Sequence, residues 1–198
     1  MNDQELVRFR DSPVARFLFG SVPMAVVWLI LRLYVGWQWV EAGRHKLEDP
    51  SWVATGAALQ GYWQRAVAIP EQGKPAVSFD WYRAFLEGLL AGGHYVWFAK
   101  LVAFGETAIG VALVLGAFTG LAAFCGAFLN WNFMMAGSAS TNPVLFVLAL
   151  GLILAWKIGG YWGLDRWLLP VLGTPWQPGR VWRPRVHPPG APAPAPST

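Results

Sequence analysis

Long apolar stretches alternate with short polar segments along the chain, and this pattern predicts helices long enough to cross a bilayer. Residues 107–156 are 50 consecutive positions without Asp, Glu, Lys or Arg. A membrane-spanning helix needs roughly 20 apolar residues, so this stretch holds two spans and the turn between them. Across the whole chain the pattern predicts four membrane-spanning helices, at residues 22–42, 96–115, 121–136 and 144–162.

The segments between these spans are rich in turn-forming or charged residues. Residues 116–120 and 137–143 carry the Gly, Ser, Asn and Pro residues typical of tight turns and loops. The connection between the first two spans is longer. Its aromatic residues, mixed with charges, predict two short helices at 52–65 and 79–90, which lie on a bilayer surface or cap the bundle.

These elements predict an all-α fold, an integral membrane four-helix bundle with a long helical outer loop between helices 1 and 2. Three regions are expected along the chain. Residues 1–19 form an amphipathic N-terminal segment, residues 20–170 form the four-helix transmembrane domain, and residues 171–198 form a Pro-rich disordered tail.

Composition supports a membrane location and excludes several kinds of function. Hydrophobic residues make up 55% of the chain and charged residues 13%, too little charge to cover a soluble globule of this size. The net charge of +4 forms no basic face with interleaved aromatics, so no nucleic-acid partner is expected. Cys125 is the single cysteine, which excludes an internal disulfide. The three histidines form no pair within the spans, and no haem, flavin or metal is predicted.

Four spans place both termini on the same side of the membrane. Arginines flank the helix ends on that side, Arg16 and Arg166 among them, and three more lie in the tail. Basic residues accumulate in the cytoplasmic segments of membrane proteins. The chain is therefore expected to be a multi-pass protein of the plasma membrane, in contact with the lipid bilayer, with both termini in the cytoplasm.

Two charged residues lie deep inside the predicted spans, far from their ends. Arg32 is about 15 Å below the outer boundary when counted from residue 42, and Glu106 is about 14 Å below it when counted from Trp97. Antiparallel helices would bring both to one depth, so an Arg32–Glu106 ion pair is predicted, since each charge compensates the burial of the other. Such a pair either fixes the helix register or lines a functional site.

A short charged run follows the first span. Glu41, Arg44, His45 and Lys46 form either a solvated interface anchor or the mouth of a site. In the second interpretation the basic residues attract an anion, while Glu41 or His45 exchanges protons with a quinone headgroup.

The side chains around the buried charges repeat at helical spacing. Arg32, Gly36, Trp39, Gly43 and Lys46 form one stripe of the first helix, whose glycines let a neighbouring backbone approach closely. The third helix places the amide of Asn130 in the outer leaflet. The candidate catalytic residues are therefore Glu106, Arg32, Glu41 and His45, and the candidate substrate-binding residues are Arg44, Lys46, Trp39 and Asn130.

Several motifs resemble those of the DoxX/DoxD family of small membrane proteins. The second helix carries Glu106 and Gly110 before the 116–120 turn, and residues 159–165 look like the family's closing aromatic-Leu-Asp element. Residues 130–143 resemble the DoxD branch, the membrane component of thiosulfate:quinone oxidoreductase. The opening motif that the first helix resembles reads Arg32-x3-Gly36-x2-Trp39-x3-Gly43-x2-Lys46-Leu47.

This resemblance implies a four-helix membrane subunit linked to quinone chemistry. Thiosulfate would be oxidised to tetrathionate outside the cell, and its electrons would pass to membrane quinone. The competing hypothesis is a non-catalytic membrane subunit, whose small-residue faces dock a partner subunit or a second copy of the chain. A transporter is disfavoured, because the chain has no internal repeat and no broken helix of the alternating-access type.

Overall fold

The computed structural model describes residues 11–174 and 177–182, and this part of the chain is almost entirely helical. The predicted all-α class is confirmed. A two-residue antiparallel pair, β1 (Gly173–Thr174) with β2 (Gln177–Pro178), and a 3-10 turn at Arg180–Trp182 follow the helices. The helices are α1 (Pro13–Gly20), α2 (Val22–Glu48), α3 (Pro50–Val53), α4 (Ala57–Val67), α5 (Asp80–Ala91), α6 (Tyr95–Leu115), α7 (Thr119–Met135), α8 (Asn142–Leu154), α9 (Trp156–Gly159) and α10 (Asp165–Leu172).

The four predicted spans correspond to the longest helices, but two of their ends differ. α6 and α7 begin and end within two residues of the predicted boundaries. α2 continues to Glu48 instead of ending at residue 42, and α8 ends at Leu154 instead of residue 162. Within the described residues, α2 and α6 are long and apolar enough to cross a membrane, whereas α7 has 17 residues and α8 has 13.

The four long helices pack in a closed ring in which α2 contacts α6 and α8, and α7 contacts α6 and α8. Their inner faces form one apolar core around the buried side chains of Trp28, Val35, Leu113 and Leu152. The outer faces of the same helices are also apolar, and large side chains such as Phe104 are mostly exposed there. The bundle is therefore apolar inside and outside.

Glycines set the contact between α2 and α6. A Cβ atom on Gly110 would lie 2.5 Å from the backbone nitrogen of Val40, and one on Gly43 would lie 2.6 Å from that of Thr107. The two backbones therefore touch, as the glycine stripe predicts. The contact also fixes the antiparallel register, because it places Gly43 opposite Thr107.

The connection between α2 and α6 is folded against the bundle. Its predicted short helices are found at α4 and α5, close to the expected boundaries. Leu59 and Trp63 of α4 and Tyr82 and Leu86 of α5 are buried in a second core against α6 and α7. Since α4 contacts α5 and α6, the connection covers one end of the bundle.

The opposite end is closed by the segment after α8. The chain leaves the helical conformation at Ala155 and turns back, so that the Asp165 carboxylate accepts hydrogen bonds from the backbone nitrogens of Phe118 at 2.6 Å and Thr119 at 2.8 Å. Asp165 thus caps the N-terminus of α7. This return explains why the predicted fourth span, 144–162, ends early.

The two terminal regions are described in part. Residues 13–20 of the predicted N-terminal segment are helical as α1, and residues 1–10 lie outside the described residues. The sequence predicts a disordered tail from residue 171 onward. The described part of this tail, residues 171–174 and 177–182, is instead ordered and contains the end of α10, the β pair and the 3-10 turn. The rest of that tail, 183–198, lies outside the described residues.

Candidate functional site

A cavity of about 580 Å³ lies between the C-terminal parts of α2 and α7, the start of α8, and α4. We call it the polar cavity. Six of the eight predicted site residues line it, whereas Arg32 and Arg44 do not. The six are Trp39, Glu41, His45, Lys46, Glu106 and Asn130.

The deepest charge in the wall belongs to Glu106. Its side chain is 1% exposed, and its Oε2 lies 2.6 Å from the Nζ of Lys46, whose side chain is 18% exposed. The Lys46 ammonium also lies 5.1 Å from the centre of the Trp52 ring. The buried carboxylate is therefore paired with a cation that still reaches the cavity surface.

The predicted Arg32–Glu106 ion pair is wrong. The prediction took residue 42 as the end of the first helix and aligned it with Trp97, but α2 continues to Glu48 and its Gly43 lies opposite Thr107. Arg32 is 11 residues from Gly43, about 16 Å further along the helix axis. Lys46 is the residue that the register brings to Glu106.

Arg32 instead caps a helix at the opposite end of the bundle. Its Nη1 donates to the carbonyl oxygens of Leu113 at 2.6 Å and Val114 at 3.3 Å, and its Nη2 donates to that of Trp162 at 3.4 Å. The bonds to Leu113 and Val114 give additional partners to carbonyls of the last turn of α6, where Leu113 also accepts from the Gly116 N–H at 3.2 Å. Arg32 is therefore a structural residue and does not contribute to the polar cavity.

Two other side chains in the wall carry buried polar atoms without a partner. Asn130 is 0% exposed, and neither its Oδ1 nor its Nδ2 has a hydrogen-bond partner within the described residues. Trp39 is 3% exposed, and its Nε1 also has no hydrogen-bond partner within the described residues. Buried polar atoms nearly always have partners, and those that lack one mark a place for water or a ligand. Both residues line the polar cavity, so two N–H donors and one acceptor lie in its wall, with the Trp39 Nε1 packed against Gly126 of α7.

The charged mouth of the cavity is internally compensated. Arg44 pairs with Glu41 at 2.6 Å and Glu48 at 2.9 Å, and His45 Nε2 lies 3.0 Å from Glu41. The predicted role of Arg44 in attracting an anion therefore gains no support, because its guanidinium points to two carboxylates and lies outside the cavity lining. With Lys46 bound to Glu106, the mouth has little net charge to offer an anion.

Sequence reasoning missed the contributions of α4 and of the loop before α8. Tyr62 and Arg65 line the cavity from α4, and Ser138, Ser140 and Thr141 line it from the loop. Burial raises the pKa of Tyr62, so its hydroxyl stays neutral while it donates to the Phe133 carbonyl at 3.3 Å. The helical spacing of aromatic residues in α4 indicates that one face of this helix is buried. It does not indicate which part of the molecule that face contacts.

The charges and the unpartnered atoms together select a class of ligand. Glu41 and Glu106 balance Lys46 and Arg65 when His45 is neutral, which favours an uncharged molecule over a dianion. The donors and the acceptor suit carbonyl or hydroxyl groups. Within residues 11–174 and 177–182, no group of three or more His, Cys, Asp or Glu side chains is placed to hold a metal ion.

Comparisons with known proteins add no further information. The chain matches no family model, no curated protein and no solved structure.

Proposed function

We propose that the protein is a membrane-embedded subunit of the DoxX/DoxD type that binds the headgroup of a quinone in the polar cavity. The observation that carries the proposal is the set of buried, unpartnered polar atoms of Trp39 and Asn130. A large cavity with a few convergent polar groups is the preferred site for a small ligand.

The membrane setting rests on the apolar outer surface. α2 and α6 have the length and composition of spans, and large apolar side chains such as Ile30, Leu101 and Leu121 are exposed on the bundle. A soluble monomer rarely exposes continuous apolar surface of this extent. We further propose that α7 and α8 complete a four-span protein of the plasma membrane, with both termini in the cytoplasm.

A quinone headgroup fits the hydrogen-bonding pattern of the cavity. Its carbonyl oxygens accept from the Trp39 indole N–H and the Asn130 amide N–H, and a quinol hydroxyl donates to Asn130 Oδ1. Reduction of quinone to quinol consumes two electrons and two protons. Glu41 and His45 at the mouth and the Lys46–Glu106 pair in the wall are the groups placed to pass those protons.

The electron donor is proposed from the resemblance alone. Oxidation of two thiosulfate ions to one tetrathionate ion releases the two electrons that one quinone takes up. Because the charges at the mouth compensate one another, they favour a second candidate function, in which thiosulfate is not oxidised by this chain. In it, the chain is a non-catalytic membrane subunit, and a partner subunit oxidises the anion.

Removing the polar groups of Asn130 tests the proposed quinone site. Leucine has the same number and branching of side-chain heavy atoms as asparagine, so Asn130→Leu should preserve the fold while weakening the binding of tetramethylbenzoquinone by about tenfold through the lost hydrogen bonds. Titration of the purified protein with this quinone measures the change. Gln64→Leu, which removes an exposed amide outside the cavity lining, is the matched control and should bind as the wild type does. Equal affinity in Asn130→Leu and wild type would refute the proposed site.

Turnover by the isolated chain separates the two candidates. Purified protein is mixed with thiosulfate and a quinone, and both quinol and tetrathionate are measured. Stoichiometric formation of both products favours the catalytic subunit. Quinone binding without turnover favours the membrane subunit that needs a partner.

A further inference from the structure

A second cavity, of about 390 Å³, separates α6 from α7 below the cover formed by α4 and α5. We call it the apolar cleft. We propose that it holds the hydrocarbon tail of a ligand whose headgroup lies in the polar cavity, so that the molecule is amphipathic, with a prenyl- or alkyl-type chain. This inference rests on the proposed quinone function and extends it to the part of the ligand that carries no redox chemistry.

The polar groups of Tyr82 and Asn132 in the walls of the apolar cleft are already bonded to protein. The Tyr82 hydroxyl donates to the backbone carbonyl or side-chain oxygen of Asn132, both at 3.1 Å, and Asn132 Nδ2 donates to the Phe128 carbonyl at 2.8 Å. The remaining wall consists mainly of aliphatic and aromatic side chains. This is the reverse of the polar cavity, where buried polar atoms lack partners. The cleft therefore suits a chain without hydrogen-bonding groups.

The two cavities share part of their walls. Tyr62 and Phe133 line both, with their rings in edge contact at a centroid distance of 6.4 Å. The polar cavity and the apolar cleft thus lie on the two sides of one aromatic pair. A single molecule that passes this pair places its head and its tail in chemically matched surroundings.

The apolar cleft also opens toward the proposed lipid phase. Its lining includes Leu101 of α6 and Phe124 and Phe128 of α7, each more than half exposed on the outer surface of the bundle. A volume of 390 Å³ falls in the range of about 300–1,000 Å³ typical of small-ligand pockets. A hydrocarbon chain can therefore enter sideways from the bilayer between α6 and α7.

Gly105 provides a substitution that fills the cleft. It lines the cleft, and a Cβ atom placed on it meets no atom within 4 Å. Gly105→Leu should therefore be tolerated by the backbone while its side chain occupies the space of the tail. Gly88, in α5, has the same free surroundings but lies outside the cleft lining, so Gly88→Leu is the matched control.

The test compares two quinones that differ only in the tail, tetramethylbenzoquinone and its analogue with a decyl chain in place of one methyl group. Both are titrated into the purified full chain in lipid nanodiscs. Gly105→Leu should weaken binding of the decyl quinone by about tenfold, the value of roughly two buried methylene groups, and should leave tetramethylbenzoquinone unaffected. Gly88→Leu should match the wild type for both.

The outcomes separate this inference from the proposed function. If tetramethylbenzoquinone binds in an Asn130-dependent manner while Gly105→Leu leaves the decyl quinone unchanged, the tail site is refuted and the headgroup site stands. If Gly105→Leu weakens both quinones equally, or Gly88→Leu has the same effect, the tail site is also refuted. Failure of both quinones to bind the wild type refutes the proposed function and this inference with it.

Cys125 gives a second readout that needs no substitution. This single cysteine of the chain is half-buried and lines the apolar cleft. Both quinones are fully substituted, so neither adds the thiol to a free ring position. The decyl quinone should slow alkylation of Cys125 by N-ethylmaleimide several-fold, and tetramethylbenzoquinone should not. Equal alkylation rates with and without the decyl quinone would overturn the placement of the tail.

Discussion

Lys46 and Glu106 differ in how much each depends on the other. The Glu106 side chain is almost completely buried, whereas Lys46 keeps part of its surface in the cavity. Leaving a buried charge without its partner costs far more than the pair itself contributes. The consequences of breaking the pair should therefore be asymmetric, with Glu106 the residue that needs compensation.

This asymmetry predicts the behaviour of three variants. Lys46→Met leaves the Glu106 carboxylate buried and unpaired, and should lower the free energy of unfolding by about 3 kcal/mol. Glu106→Gln removes the buried charge, and Lys46 then turns to the cavity, so the loss should be about 1 kcal/mol. The double variant Lys46→Met/Glu106→Gln should regain most of the loss of Lys46→Met. Denaturant unfolding in mixed micelles measures all three, and a double variant as unstable as Lys46→Met would contradict the argument.

Six of the residues that line the cavity could be predicted one by one, because polar side chains within or beside apolar helices are conspicuous. Glu106 and Asn130 are predicted as polar residues within spans, and Trp39 and Lys46 from the helical stripe of the first helix; the structure brings all four to one cavity. Their pairing could not be predicted in the same way. It depends on the axial register of two helices, and the predicted register was wrong by 11 residues, since it placed Arg32 where Gly43 lies opposite Thr107.

At the scale of single elements, part of that error has a physical cause in α2, which ends six residues later than predicted. The polar run after residue 42 was interpreted as the exit from an apolar span. In the structure the helix continues, because Arg44 forms ion pairs with Glu41 and Glu48 at i−3 and i+4 along its exposed face. Hydropathy marks where apolar residues end, whereas local side-chain pairs and caps decide where the helix ends.

The α2–α6 contact predicts opposite effects for two glycines of α6. Gly110→Ala would place a methyl group 2.5 Å from the Val40 backbone nitrogen and should destabilise the protein by roughly 1–3 kcal/mol, since the two backbones must separate. Gly105→Ala meets no neighbour and should be neutral or stabilising by up to about 1 kcal/mol through helix propensity. Unfolding midpoints measured in parallel provide the comparison. Similar losses in both variants would show that the helix contact does not depend on glycine.

At the scale of the whole molecule, the two ends of the bundle differ in how their buried polar side chains are used. At one end the Arg32 guanidinium and the Asp165 carboxylate are bonded to backbone groups of α6 and α7, while Arg32 Nε and Thr119 Oγ1 have no partner within the described residues. At the other end α4 covers a cavity in which Asn130 keeps unpartnered polar atoms. Six of the eight predicted site residues line the cavity at the second end, so the proposed quinone site places the ligand's head on the side of the proposed membrane that α4 and α5 face.

That implication fixes a topology that labelling can test. In a Cys125→Ser background, Gln72→Cys lies in the exposed segment between α4 and α5, and Ser12→Cys lies in the exposed segment before α1. Arginines near the termini favour the cytoplasm, so a membrane-impermeant maleimide should label Gln72→Cys in intact spheroplasts and Ser12→Cys only after lysis. The reverse pattern would invert the orientation and move the polar cavity to the cytoplasmic side. Labelling of both positions from outside would contradict the proposed topology, because the single span α2 separates residues 12 and 72 and must place them on opposite sides of the membrane.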